Sequence, residues 1–171
     1  MELNQDLAKS KIAVDGSVGG NALEITITSF GYKQGPPPPA HMVFDVRFLQ
    51  NPYWEETLRP LTGLDKPVSD YVLRQALAQD FLNSLAQMLC TVLPRFAEGQ
   101  WREFTVALGC TGGQHRSTAM VEALARRLAD ALPQYKISKQ HRELNIGLEA
   151  CVSEEGLAAD EVMRPNREER S

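Results

Sequence analysis

The feature that most constrains the fold is a strongly apolar segment, EFTVALGC (103–110), which runs through a glycine-containing turn into a helical pattern. So few polar residues are typical of a central strand in a parallel sheet, where both faces are covered. The helical pattern extends over residues 117–132 and stops before Pro133. A strand, a turn and a helix in this order form the first part of a parallel crossover connection.

Further strands and helices are predicted around this unit. Alternating, β-branched segments predict the other strands, at residues 23–30, 41–49 and 135–141. Apolar residues at helical spacing predict one long helix, or two helices with a kink, between Val68 and Phe96, closed by Pro94 and Gly99. The order β-β-α-β-α-β predicts an α/β fold, with a small, mainly parallel sheet and helical crossovers in a single domain.

Composition and charge limit the class of protein. The chain has 171 residues and a net charge of −4, so it has no global basic field that would attract nucleic acid or an anionic membrane. The domain is predicted at residues 22–147, between a leader (1–21) and an acidic, polar tail (148–171). No secretory signal or membrane-spanning run is visible.

The three cysteines are Cys90, Cys110 and Cys151, an odd number with wide spacing. They form neither a disulfide framework nor a zinc pattern, which predicts a reducing cytoplasm as the compartment and no metal or cofactor.

Ligands of parallel α/β sheets bind beyond the carboxyl ends of the strands. Four segments are predicted to meet there: Ser29–Gly31, Arg47–Asn51, Cys110–Ser117 and His141–Arg142.

The segment CTGGQHRS (110–117) has the chemistry of an oxyanion site. Loop amides at a helix start are unpaired donors, and glycines let the backbone approach a ligand closely. Arginine in a first turn opposes the helix dipole unless an anion lies nearby. The predicted phosphate-binding residues are Thr111, Gly112, Gly113, His115, Arg116 and Ser117, with Arg47 and Asn51 from the neighbouring strand end. The alternative is a plain turn with a solvated arginine.

The same loop permits an enzymatic interpretation. Cys110, Gly113, Arg116 and Ser117 have the spacing of cysteine-dependent phosphatases, in which a thiolate attacks phosphorus and the arginine holds the oxygens. Asp45 or Asp65 would be the general acid. In the alternative, Cys110 is a packing residue at a strand end.

Other polar and aromatic residues near the strand ends have more than one possible role. Asp45 and Arg47 share one face of their strand and form either a structural pair or part of the site. Trp54 is expected to cover a loop, and His141 and Arg142 either close the pocket or lie at the surface.

Several motifs in the same order, ITSFGYKQG, VFDVRFLQNPYW, LRPLTGLDKPV, GCTGGQHRS and QHREL, resemble the C-terminal domain of the RNase adapter protein RapZ family. The resemblance covers about Ile27 to Leu144. It implies an α/β domain that binds an amino-sugar phosphate, glucosamine-6-phosphate, through the Cys-Thr-Gly-Gly-x-His-Arg loop. It also implies self-association, recognition of small RNAs and delivery of RNA to an endoribonuclease.

The chain departs from the family pattern at three places. It has no phosphate-loop nucleotide-binding motif, so nucleotide hydrolysis is not implied, and Tyr53 replaces the family's usual histidine. Glu143 and an acidic tail replace a basic stretch, which leaves Lys136, Lys139 and Arg142 as the possible RNA contacts.

The sequence therefore predicts a non-catalytic domain that senses a phosphorylated metabolite and acts through self-association or a protein partner. An RNA-binding adapter and a cysteine-dependent phosphatase that uses Cys110 and Arg116 remain the alternatives.

Overall fold

The structure, a computed structural model, describes residues 23–147. The strands are β1 (Glu24–Gly31), β2 (Met42–Asp45), β3 (Glu103–Cys110) and β4 (Lys136–His141). The helices are α1 (Lys66–Leu73), α2 (Ala76–Glu98) and α3 (Arg116–Ala131), and short 3₁₀ turns occupy Tyr32–Gln34, Pro52–Trp54 and Arg142–Leu144. The predicted leader and acidic tail, with Cys151, lie outside the described residues.

The four strands form one sheet in the order β2-β3-β1-β4, and every neighbouring pair is parallel. The predicted α/β fold with helical crossovers is confirmed. The register pairs Gly31 with Cys110 and Ser29 with His141, so β1, β3 and β4 end at the same edge of the sheet. That edge is where the connecting loops must meet.

The core lies between the helices and one face of the sheet. Residues paired across β1 and β3, such as Ile25 with Phe104 and Ile27 with Val106, are fully buried on this face. Helix α3 packs directly on the strands, and α2 adds a buried leucine stripe at Leu82, Leu85, Leu89 and Leu93. This packing places the start of α3 just beyond the end of β3.

The second strand is shorter than predicted, because the chain turns after Asp45. The Val46 amide still donates to the Gly109 carbonyl, but the Arg47 amide is taken by the Asp45 side chain and the Leu49 amide turns back to Val46. The alternation of inward and outward side chains predicted for the strand at 41–49 therefore does not continue past Asp45: Val46 is buried, whereas Phe48 is 46% exposed.

The helical region is two helices, and the break lies at Gln75, whose ψ of 125° is extended. The prediction that Pro94 closes this region is wrong: Pro94 lies inside α2, which continues to Glu98 and is capped by Gly99. Burial of Leu93 on the core face outweighs the loss of one backbone hydrogen bond. Likewise, α1 begins at Lys66, two positions before the predicted start of the helical region at Val68. None of the helices within residues 23–147 has the length and hydropathy that a membrane span requires.

Candidate anion-binding site

Two loops meet without side chains between them at the shared edge of the sheet. A Cβ added to Gly31, at the end of β1, would lie 2.6 Å from the carbonyl carbon of Gly112, so the two backbones are in direct contact. A Cβ on Gly63 would lie 2.3 Å from the His115 carbonyl oxygen, so the loop before α1 also presses on this segment. Substitution of either glycine requires a backbone shift. The predicted convergence of the strand ends is therefore present at atomic contact.

The loop after β3 curls around the Cys110 sulfur. Gly113 has a φ of +75°, a left-handed conformation that favours glycine. Its amide donates to Cys110 Sγ at 3.3 Å, and its carbonyl accepts the Thr118 hydroxyl at 2.9 Å. The Ser117 hydroxyl lies 3.1 Å from the same sulfur and is fully buried. Gly112 faces open space, with nothing within 4 Å of an added Cβ.

Arg116 starts α3 but is almost completely buried. Its Nη1 donates to the carbonyls of Arg47 and Leu49 at 3.1 and 3.0 Å, and its Nη2 donates to Thr111 Oγ1 at 3.2 Å. The alternative of a solvated arginine is therefore wrong. The guanidinium joins the loop after β2 to the loop after β3 and places a positive charge between them.

Unpaired polar atoms concentrate at this loop. Among the described residues, three buried side-chain atoms have no hydrogen-bond partner: His115 Nε2, Arg116 Nε and Glu143 Oε2. His115, only 8% exposed, precedes α3, and its side chain makes no capping hydrogen bond. Buried polar groups are normally satisfied, so three unsatisfied atoms on residues of one loop and its neighbour indicate a place for a polar partner.

Arg47 and Asn51 are brought to the same edge, but their side chains are engaged locally. Arg47 forms a bidentate pair with Asp45, with 2.6 Å between Nη2 and Oδ2, and its guanidinium lies over the Tyr32 ring. Asn51 Oδ1 caps the next short turn by accepting the Tyr53 amide. The Asp45–Arg47 structural pair is thus present. The expectation that Trp54 covers a loop is wrong, since it is 76% exposed.

The candidates for a general acid are poorly suited to that role. A general acid must carry a proton at neutral pH. Hydrogen bonds from Arg47 lower the pKa of Asp45, and hydrogen bonds from the amide and hydroxyl of Thr62 lower the pKa of Asp65. Both carboxyls are thus held in the ionised form, and Cys110 is buried beneath the loop.

The end of β4 holds a buried polar chain that the sequence does not reveal. His141 lies inside, not at the surface: its Nδ1 is 2.8 Å from Ser29 Oγ, and its Nε2 is 3.1 Å from Glu122 Oε1 on α3. Lys139 donates to the other Glu122 oxygen at 2.8 Å. Burial opposes ionisation of Glu122, but the hydrogen bonds from Lys139 and His141 outweigh it and lower its pKa.

The residues after His141 form the wall of the loop region. Arg142 donates to the carbonyls of Pro36 and Gly31 and also to Glu143. Glu143 Oε1 accepts the Gly31 amide at 3.0 Å. Sequence reasoning noted Glu143 only as an acidic departure; its position directly after a strand end was the signal that could have identified it as part of the site.

Each of the three possible RNA contacts forms an ion pair with a carboxylate. Lys136 forms an ion pair with Glu24, Lys139 with Glu122, and Arg142 with Glu143. No group of metal-binding residues occurs within 23–147.

Known proteins resemble the chain over the same region. A family model described as the RapZ C-terminal domain matches residues 23–145. A nucleotide-binding protein of Shewanella sp. (strain MR-7) is 47% identical over 123 residues, which are 72% of this chain and 43% of that protein. Nucleotide-binding proteins of Corynebacterium glutamicum (strain R) and Corynebacterium jeikeium (strain K411) are 50% and 45% identical, covering 71% and 84% of this chain and 39% and 47% of theirs. The chain spans less than half the length of these relatives.

Proposed function

The chain belongs to the RapZ C-terminal domain family, and on that premise we propose that it is a non-catalytic binding domain for a phosphorylated metabolite. The phosphate lies against the loop of residues 110–117, and an amino-sugar phosphate such as glucosamine-6-phosphate is the ligand that the family resemblance favours. The proposal concerns this domain, because the relatives named nucleotide-binding proteins are more than twice as long as the matched segment. Residues 23–145 contain no phosphate-loop motif.

The observation that carries the proposal is the clustering of unpaired, buried polar atoms at this loop. Arg116 Nε is a donor, and His115 Nε2 is a donor in one tautomer or in the charged ring. The start of α3 adds backbone N–H groups and the positive end of the helix dipole. Gly112, which leaves open space beside the loop, provides access for a ligand. A phosphate monoester satisfies donors of this kind and gains charge-assisted hydrogen bonds from the guanidinium.

The two alternatives have weaker support. A phosphatase needs a proton donor, and the hydrogen bonds that lower the pKa of Asp45 and of Asp65 favour the ionised form of both carboxyls. The contacts of Cys110 Sγ with the Gly113 amide and the Ser117 hydroxyl are those that a thiolate accepts, so the enzyme remains the second candidate. If the Cys110→Ser variant hydrolyses an aryl phosphate as fast as the parent, the phosphatase hypothesis is eliminated. RNA binding through Lys136, Lys139 and Arg142 requires these cations to leave their carboxylates.

Thermal unfolding with glucosamine-6-phosphate tests the proposal. At about a hundred times its dissociation constant, a ligand stabilises the native protein by about 2.7 kcal/mol. We expect a clear rise in Tm for the parent and little or none for Arg116→Ala. Each variant is compared with its own ligand-free sample, because loss of the Arg116 hydrogen bonds also destabilises the protein.

Arg95→Ala is the matched control. Arg95 is an exposed arginine near the end of α2 whose pairing is with Glu98, and its removal leaves the ligand effect intact. Unchanged Tm values in the parent with glucosamine-6-phosphate, glucose-6-phosphate and inorganic phosphate contradict the proposal. Self-association is expected from the family resemblance. Sedimentation with and without ligand measures whether ligand binding changes it.

A further inference from the structure

Glu143 places a carboxylate against a loop that otherwise offers donors. A Cβ added to Gly113 would lie 2.9 Å from Glu143 Cδ, so the carboxyl group is in contact with the loop backbone. An acidic group beside a phosphate site is unfavourable unless its charge is balanced or used. Arg142 balances it, because Nε and Nη2 donate to Glu143 Oε1 at 3.0 and 2.8 Å.

The two oxygens of this carboxylate have opposite environments. Oε1 accepts three hydrogen bonds, from the Gly31 amide and from two nitrogens of Arg142. Oε2 has no hydrogen-bond partner, and it is buried within a side chain that is only 7% exposed. Since Oε1 fixes the position of the group, Oε2 cannot turn to water without breaking those three bonds. It is a preorganised acceptor that lacks a donor.

We propose that Glu143 is a specificity-determining residue, whose Oε2 accepts a hydrogen bond from an amine or hydroxyl on the carbon skeleton of the bound phosphate ester. This inference rests on the proposed phosphate site and adds a second contact to it. An ammonium group is favoured over a hydroxyl, because a hydrogen bond between two charged groups is stronger than one with a neutral donor. The site thus combines donors for the phosphate with one acceptor for the skeleton, which selects amino-substituted phosphate esters over inorganic phosphate.

The opposite role makes a different prediction. If the carboxylate merely occupied the loop as an internal anion, its removal would strengthen binding of every phosphate to the same extent. If Oε2 receives a ligand donor, its removal weakens only ligands that carry the donor. Inorganic phosphate, which has no carbon skeleton and therefore no such donor, separates the two.

The experiment measures dissociation constants of glucosamine-6-phosphate, glucose-6-phosphate and inorganic phosphate by calorimetry for the parent and Glu143→Gln. The amide keeps the shape of the side chain but removes the carboxylate charge. We expect the preference for glucosamine-6-phosphate over inorganic phosphate to fall about ten- to a hundredfold in the variant. The affinity for inorganic phosphate should change no more than about twofold.

Glu56→Gln, at an exposed carboxylate in the loop before α1, is the matched control and keeps the parent preference. Glu143→Asp, which withdraws the carboxylate by one methylene, provides an independent variant and loses part of the preference. Circular dichroism checks the fold of each variant. An unchanged preference in both variants, or an equal gain for all three ligands, overturns the role of Glu143. Failure of the parent to bind any of the three ligands overturns the proposed function itself.

Discussion

Two buried histidines, His141 and His115, differ in their hydrogen bonding. His141 has both ring nitrogens in hydrogen-bonding reach of partners, Ser29 on one side and Glu122 on the other. His115 is similarly buried, but its Nε2 has none. A buried polar group with all its partners stabilises the fold, whereas one without partners costs stability until something binds. On this basis we expect His141 to hold α3 to the sheet, and we propose that His115 contacts the ligand.

The same substitution at both histidines tests this distinction, and the larger effect is expected at His141. His141→Phe fills the space but removes a hydrogen-bonding partner from the buried Ser29 hydroxyl and from the partly buried Glu122 carboxylate. We expect the free energy of unfolding to fall by about 2–4 kcal/mol. Urea denaturation measures it, and a loss below about 1 kcal/mol contradicts the structural role of this chain of hydrogen bonds.

An intermediate effect on the free energy of unfolding is expected at Glu122, which pairs with Lys139 and His141. Pairing lowers the pKa of Glu122 from its ordinary value of 4.5, so the stabilisation is complete above that value and is lost as the pH falls through the lower, folded pKa. Glu122→Gln should cost about 1 kcal/mol at neutral pH. The difference from the parent should shrink in acid, as measured by unfolding from pH 7 to pH 3. Glu56→Gln, at an exposed position, should follow the parent curve at every pH, and a constant deficit in Glu122→Gln refutes the assignment.

The smallest effect on stability is expected at His115. His115→Phe removes an unpaired ring nitrogen and loses no observed side-chain hydrogen bond, so the free energy of unfolding should change by less than about 1 kcal/mol. Binding should behave in the opposite way, and the rise in Tm with glucosamine-6-phosphate should decrease markedly. A variant that loses stability as severely as His141→Phe, or that keeps the full ligand effect, removes the contrast between the two sites.

The sequence predicted the architecture well because strands and helices follow from local periodicity. The apolar segment at 103–110 and the amphipathic pattern after it specified β3 and α3, and the parallel order placed their junction beside the end of β1. The boundaries failed where side-chain contacts that the pattern does not show lie at the ends of elements. Leu93 is buried in the core where α2 continues through Pro94, and the Asp45 side chain accepts the Arg47 amide where β2 ends.

The sequence predicted the loop of the candidate site but not the contacts of its residues. Thr111, Gly112, Gly113 and Arg116 lie within six positions of the chain, so their spacing alone singled out the loop as a candidate. The contacts of Ser29 and Glu143 join segments more than 100 positions apart. No local pattern encodes which oxygen of a carboxylate is satisfied, since that depends on the packing of β4 against β1.

The contact between Gly31 and Glu143 also has a consequence for the order of assembly. It spans 112 positions, so during synthesis the loop after β3 is exposed before the segment that forms its acidic wall. Contacts between residues so far apart in the chain form only after all of the intervening residues have been synthesised. During synthesis, β1 and β3 are therefore made before β4, and at that stage the loop after β3 lacks Glu143. Under the proposed role of Glu143, the domain acquires selectivity among phosphate esters only once the segment after β4 is in place.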